Sequence, residues 1–234
     1  MTTSAPLANI TVVAPVGPDD QVAPLLLTQL DALPPDAEVF LVYADVSDDS
    51  VYEVHLSHGG PTRRLITAPP GRATQQNAGA RVATRDWLWF VHADSQLAPE
   101  TLSALAAFVQ RGEEALGYFD LYFLDDGPAL TRLNAFGARL RSRWFDLPFG
   151  DQGLVMLRRV FEELGGFDTT LQRGEDHELL WRARRAGIPV RRIGARLYTS
   201  ARKYAEEGWW SATAWHIRET WRQARRFTRP PDSD

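Results

Sequence analysis

The chain has 234 residues, 44% of them hydrophobic, enough for one well-cored domain, which excludes a mainly disordered polypeptide. It contains no cysteine, which excludes a disulfide framework, a thiolate metal site and a cysteine nucleophile. The net charge of −4 is unevenly spread: 12 basic and 22 acidic residues lie in 1–172, against 14 basic and 6 acidic in 173–229.

A basic C-terminal region on an acidic body suits an anionic ligand or a membrane surface. Mutual charge compensation within one fold explains it equally well. The start carries no basic segment followed by an apolar core, so no signal peptide is expected. No apolar stretch is long enough to predict a transmembrane helix.

Residues 9–14 (NITVVA) read as a first buried strand, followed by a loop rich in Pro, Gly and Asp over 15–20. A helical apolar pattern runs over 22–33 and stops at Pro34-Pro35. Residues 38–43 form a second strand, 45–50 an acidic turn, and 52–57 and 64–67 two weaker strands. A helix follows over 71–84, then a strong central strand over 86–92 and an amphipathic helix over 98–110 entered through Pro99. A strand over 116–124 precedes a helix over 129–143. A short strand (154–157), a short helix (159–164) and a helix over 175–186 ending at Gly187 come next. Strands over 190–193 and 197–199 lead to a long terminal helix over 205–227. Alternating strands and helices predict a mostly parallel sheet with crossover helices, more irregular in the second half.

In open α/β sheets ligands bind beyond the carboxyl ends of the strands. Polar clusters fall there after each of the first two strands, at His92-Ala93-Asp94-Ser95 after the central strand, and before Glu175. A carboxylate at Asp94 can hold a hard cation that clamps phosphate oxygens, or simply cap a turn. Arg72 opens a helix whose amides favour anions, although Gly79 in the same helix also reads as a close-packing residue. Glu175-Asp176 at a helix start suits either a general base or the helix dipole.

Four segments in this order resemble glycosyltransferase family 2. They are residues 71–97 (GRATQQNAGARVATRDWLWFVHADSQL), 148–168 (PFGDQGLVMLRRVFEELGGFD), 174–187 (GEDHELLWRARRAG) and 199–210 (TSARKYAEEGWW). The combination is similar to a bacterial subgroup described as arsenosugar-biosynthesis-like. The resemblance implies a GT-A fold, an α/β architecture with a mostly parallel central sheet flanked by helices. The resemblance covers about 9–226, and implies one domain over 1–234, with a core at about 9–200 and a helical extension at about 205–227.

The resemblance also implies a metal-dependent, inverting hexosyltransferase of the cytoplasm. Asp94 matches a metal ligand for Mg²⁺ or Mn²⁺ in a DxD-like motif, with His92 at that motif's first position. Asp176 matches the acceptor's base, with Glu175 beside it. Pro15, Asp45, Arg72, Asn77, His92, Arg202 and Lys203 match donor-binding positions. Gly150, Asp151 and Gln152 match a loop near the sugar and acceptor. The implied partners are a nucleotide-diphosphate sugar and a hydroxyl acceptor, which family members often take lipid-linked.

The terminal helix carries Trp210, Ala214, Ile217 and Trp221 on an apolar stripe and Arg218, Arg222, Arg225 and Arg226 beside it. It suits docking on the domain, a homodimer or peripheral contact at the inner membrane face. The acidic chain matches no nucleic-acid module.

The chain departs from the family pattern in two places. The first loop reads Pro15-Val16-Gly17-Pro18-Asp19-Asp20, and Tyr43 stands where a base-reading aspartate is expected, with Asp45 nearby. A nucleotidyltransferase would carry a Gly-rich basic signature in that first loop. A degenerate, non-catalytic module would carry such a departure at Tyr43.

Overall fold

The computed structural model describes residues 4–17, 22–45, 51–53, 60–126, 150–171 and 173–200. The expected helices at 129–143 and 205–227, and Arg202 and Lys203, lie outside the described residues.

Strands β1 (Ile10–Val16), β2 (Glu38–Ala44), β3 (Val51–Glu53), β4 (Thr62–Ala68), β5 (Trp87–Phe90), β6 (Gln96–Leu97), β7 (Leu116–Phe123), β8 (Leu154–Leu157) and β9 (Val190–Thr199) form one sheet in the order β3-β4-β2-β1-β5-β8-β7-β9-β6. The pairs β1/β2, β1/β5, β2/β4 and β7/β9 are parallel. The pairs β3/β4, β5/β8, β7/β8 and β6/β9 are antiparallel.

The helices are α1 (Ser4–Leu7), α2 (Pro24–Leu30), α3 (Arg72–Val82), α4 (Thr101–Arg111), α5 (Arg158–Glu163) and α6 (Glu175–Arg185). The central strands are covered on both faces, so they read as unbroken apolar runs rather than alternating ones. On one face Val12, Val39, Trp87 and Trp89 pack with Leu26 and Leu30 of α2 and Leu105 and Phe108 of α4. On the other, Val13, Phe40, Val42, Leu88 and Phe90 pack with Ala78 and Ala80 of α3, Phe161 of α5 and Leu179 and Leu180 of α6. Helix α3 lies close to the sheet because Gly79 has no side chain. A Cβ there would sit 2.5 Å from Val13 Cγ1 and 3.1 Å from Val42 Cγ2.

Glu38, 2% exposed, ties the far end of this layer together. Its carboxylate accepts from Thr11 Oγ1 (2.6 Å), Thr84 Oγ1 (2.7 Å) and the Thr84 N–H (3.0 Å). Burial pulls its pKa up, but these donors outweigh burial and hold it below the usual carboxylate value.

The two short strands expected at 190–193 and 197–199 are one strand. Between Tyr118 and Asp120 of β7 the partner register jumps from Arg192 to Arg196. Gly194, at φ +83°, takes a left-handed conformation within this irregularity, which glycine adopts without a Cβ penalty. The basic end of the chain meets acidic partners: Arg191 pairs with Glu113 (2.8 Å), Arg192 with Asp120 (2.7 Å) and Arg196 with Glu100 (2.7 Å). Charge compensation is therefore realised among the described residues. No described helix is long and apolar enough to cross a membrane.

Candidate active site at the carboxyl edge of the sheet

Sheet direction decides which loops meet. β1, β2, β4 and β5 run parallel and end on one edge. β8 runs against β5 with Leu154 opposite Phe90, so the loop entering β8 arrives at the same edge. β7 and β9 run against β8 and end there too, bringing Thr199 to this side.

Asp94, half-buried, follows β5 in a turn closed by the Ser95 N–H on the His92 carbonyl (3.1 Å). The neighbouring Ala93 carbonyl accepts the Ala23 N–H (2.8 Å). Thr199 Oγ1 donates to Asp94 Oδ1 at 3.3 Å.

A second cluster forms where α3 and α6 begin. Arg72 Nε pairs with Glu175 Oε1, across 103 positions of sequence. Glu175 is 2% exposed, whereas the Arg72 side chain is 40% exposed. Asp176, also buried, accepts the Gly150 N–H at Oδ2 and its neighbour's N–H, that of His177, at Oδ1 (2.9 Å). Burial drives the Asp176 carboxyl toward neutrality. The charges of His177 and Arg72 and the two amide donors overcome it and hold the group ionised below the ordinary aspartate value. Crowding by protein works against the guanidinium charge of Arg72. Asp176, Glu175 and Asp151 around it prevail and push its pKa further up.

The 3₁₀ turn Gly150–Gln152 carries this cluster. Gln152 is fully buried and donates from Nε2 to the Phe119 carbonyl (2.9 Å), anchoring the turn to β7. Gly150 needs its missing side chain, since a Cβ would stand 3.0 Å from Asp176 Oδ2. Asn77 spends both ends of its amide on Phe167, donating to its carbonyl (2.8 Å) and accepting its N–H (2.9 Å). Arg182 Nη2 reaches the adjacent Gly166 carbonyl at 2.5 Å. Asn77 from the middle of α3 and Arg182 from the last turn of α6 thus hold one glycine turn between them.

At the other end of the edge, Pro15 lies within β1, half-buried and in register with Val42. Tyr43, 37% exposed, is the penultimate residue of β2, and the Asp45 N–H donates to the Ala68 carbonyl (2.8 Å). Gln75 was not among the residues singled out from sequence. It is buried on α3 and donates from Nε2 to the Val16 (2.8 Å) and Val42 (2.7 Å) carbonyls, clamping the last turns of β1 and β2 together. Its sequence signal is a polar residue beside the small residues of a helix that packs closely on strands.

The structure therefore joins Arg72, Gly150, Asp151, Glu175 and Asp176 in one cluster. Asp94 is positioned with Thr199, and Asn77 and Gln152 serve the backbone around the site. Among the described residues no group of three His, Asp or Glu side chains could cage a metal ion. A single half-exposed carboxylate instead fits the way Mg²⁺ and Mn²⁺ bind beside phosphates, through one or two carboxylates with the remaining oxygens from substrate and water.

The chain matches the family model described as Glycosyl transferase family 2 over residues 18–165. No curated protein matches it in sequence. Among solved structures, S. aureus TarS 1–349 in complex with UDP is similar with a TM-score of 0.59 at 14% identity, over 82% of this chain and 60% of that one. The same fragment in a second crystal structure gives 0.58 at 16% identity, with the same coverage of both chains. The mannosyltransferase PcManGT from Pyrobaculum calidifontis, in complex with GDP-Man and Mn²⁺, gives 0.54 at 20% identity, over 80% of this chain and 56% of that one. The chain thus spans 56–60% of the length of these structures. These likenesses establish the GT-A type of α/β fold.

Proposed function

The chain belongs to glycosyl transferase family 2, and from that premise we propose that it moves a sugar from a nucleotide-diphosphate donor to a hydroxyl acceptor with inversion at the anomeric carbon. The observation that carries the reading is the pair of carboxylates on one sheet edge in contrasting environments. Asp176 is buried and held ionised, while Asp94 is half-exposed at the end of the central strand. Neighbours of the same fold bind UDP, UDP-GlcNAc and GDP-Man, which supports a nucleotide-sugar donor here.

Asp94 would hold Mg²⁺ or Mn²⁺ against the donor diphosphate. A divalent ion bound there supplies charge neutralisation of the departing diphosphate. Asp176 receives the acceptor's hydroxyl proton as the acceptor oxygen bonds to the anomeric carbon. The bond from that carbon to the phosphate oxygen breaks on the opposite face, and its electron pair leaves with the diphosphate. A carboxylate with a low pKa serves, because the proton is lost only as the new bond forms. Arg72 and His177 keep Asp176 charged, Glu175 holds Arg72 in place beside it, and the Gly150 N–H fixes Asp176 Oδ2.

Pro15, Asp45 and His92 line the donor end of this edge in the same reading, with Arg202 and Lys203 contributing from the segment that follows β9. A nucleotide-sugar donor fits a cytoplasmic enzyme, and the basic, Trp-bearing 205–227 segment fits a peripheral membrane or dimer contact. The test is thermal stability against UDP, GDP, CDP and dTDP, each with Mn²⁺ and with EDTA. A ligand that binds only the native state raises the midpoint by mass action. A metal-dependent rise with one nucleotide, lost in Asp94→Ala, is expected. A flat response to all four would overturn the transferase reading in favour of a non-catalytic module, with Tyr43 the first suspect.

A further inference from the structure

We infer that Thr199 is a positioning residue for the cation at Asp94: its hydroxyl aims the Asp94 carboxylate, so that the last residue of β9 helps to set metal affinity. The inference rests on the reading of Asp94 as the cation's ligand.

Three observations fix Thr199 where it is. It is 4% exposed at the end of β9, in parallel register with Phe123 of β7, and its carbonyl accepts the Leu124 N–H at 3.0 Å. The two-residue strand β6 pairs with the same stretch of β9, Gln96 with Tyr198 and Leu97 with Leu197. Asp94 precedes Gln96 by two positions, so this small ladder sets the spacing between the carboxylate turn and the end of β9. The Asp94 turn is tied on its other side through Ala93 to Ala23. The hydroxyl and the carboxylate therefore meet because two independently anchored backbones meet.

A carboxylate oxygen has more than one lone pair, so accepting from a hydroxyl does not exhaust Asp94 Oδ1 as a ligand. A hydroxyl that stays on one oxygen restricts carboxylate rotation and orients the remaining lone pairs. Partners that orient a metal ligand in this way are typically worth about 10- to 100-fold in metal affinity. At 3.3 Å the contact is longer than the usual hydroxyl–carboxylate distance, so the low end of that range applies.

The experiment is Mn²⁺ binding to the full chain, followed by the loss of the free-ion electron paramagnetic resonance signal. It is run with Mn²⁺ alone and with each of UDP, GDP, CDP and dTDP. Thr199→Val keeps the volume and the β-branch but removes the hydroxyl, Thr199→Ser restores the hydroxyl, and Asp94→Asn is the reference loss. The expected result is a roughly 10-fold weaker Mn²⁺ Kd in Thr199→Val, a value within about 2-fold of wild type in Thr199→Ser, and no specific binding in Asp94→Asn. If Thr199→Val binds Mn²⁺ like wild type while Asp94→Asn does not, the role of Thr199 is refuted and the Asp94 reading stands. If Asp94→Asn binds like wild type, the Asp94 reading fails and Thr199 falls with it. If the valine variant does not melt cooperatively, Thr199→Ala against Thr199→Ser decides the question in the same way.

Discussion

Replacing Arg72 by methionine removes the guanidinium while keeping a long aliphatic stem over the same surface. The loss falls on Glu175, which is 2% exposed and has Arg72 as its ion-pair partner. Removing one partner of a fully buried pair costs about 3–5 kcal/mol, because the other charge is left stranded. Water reaches the Arg72 side chain, which is 40% exposed, so about 1–3 kcal/mol is the reasonable expectation. In a chain of this size each kcal/mol moves the melting midpoint by about 2–4 °C. The variant should therefore melt about 2–12 °C below wild type at neutral pH.

The pH dependence of that effect is more telling. Asp176 has a folded pKa depressed below its unfolded value of about 3.9, so its contribution to stability is complete above that value and is lost as pH falls through the folded pKa. Arg72 is one of the charges that depress it. In Arg72→Met the folded pKa rises toward the unfolded one, so part of the contribution disappears at every pH above it. The acid limb of sugar transfer shifts to higher pH in parallel. Arg72→Lys keeps the charge without the planar fork and should recover the acid limb better than it recovers the melting midpoint. Melting curves across about pH 3–8 and transfer rates over the same range would check both. An Arg72→Met protein with an unchanged midpoint and an unchanged acid limb would refute the claim that Arg72 holds this carboxylate pair.

Three further outcomes follow from the same geometry. Gln75→Leu leaves the buried Val16 and Val42 carbonyls without their donor; equilibrium urea unfolding should show a loss of about 2–4 kcal/mol, with weaker nucleotide binding. Gly150→Ala pushes a Cβ against Asp176 Oδ2 from 3.0 Å, so kcat should fall about 10-fold or more with little change in melting midpoint. Glu38→Gln removes a charge that three donors stabilise at the opposite edge of the sheet; it should cost about 1–3 kcal/mol at neutral pH. That deficit should narrow as pH falls below about 4.3 and through the depressed folded pKa, where wild-type Glu38 loses its own contribution.

Strands β1, β2 and β5 were legible because burial on both faces demands a continuous apolar run, and NITVVA, EVFLVY and DWLWFVH are such runs. β6 left no such trace. It is two residues long, one of them Gln96, and exists through its pairing with β9. β9 read as two strands because Gly194 and Ala195 interrupt its pattern, and that interruption is the bulge itself. Helix α4 begins at Thr101, later than the 98–110 expectation, because the Thr101 hydroxyl accepts the Ala98 N–H and holds the entry as a turn. Asp94, Glu175 and Asp176 stood out by position and motif. What joins Arg72 to Glu175, or Thr199 to Asp94, spans 103 and 105 residues, and no local pattern carries a contact over that distance.

One antiparallel strand does much to separate the two carboxylates by environment. Because β8 runs against β5, its entry loop reaches the edge where β5 ends, and Gly150 offers a backbone amide to α6. Asp176 consequently sits under protein, with an arginine and two N–H groups to keep it charged. Asp94 lies on a turn pinned by α2 and β9, half-exposed and touched by a hydroxyl. Two aspartates on one edge acquire different capacities from their surroundings, one as a fixed anion beside a closed wall and one as an oxygen donor facing outward. The proposed in-line displacement would use that division: the group that takes the acceptor's proton would be held rigidly, while the group that meets the diphosphate's counter-ion would be reached from outside.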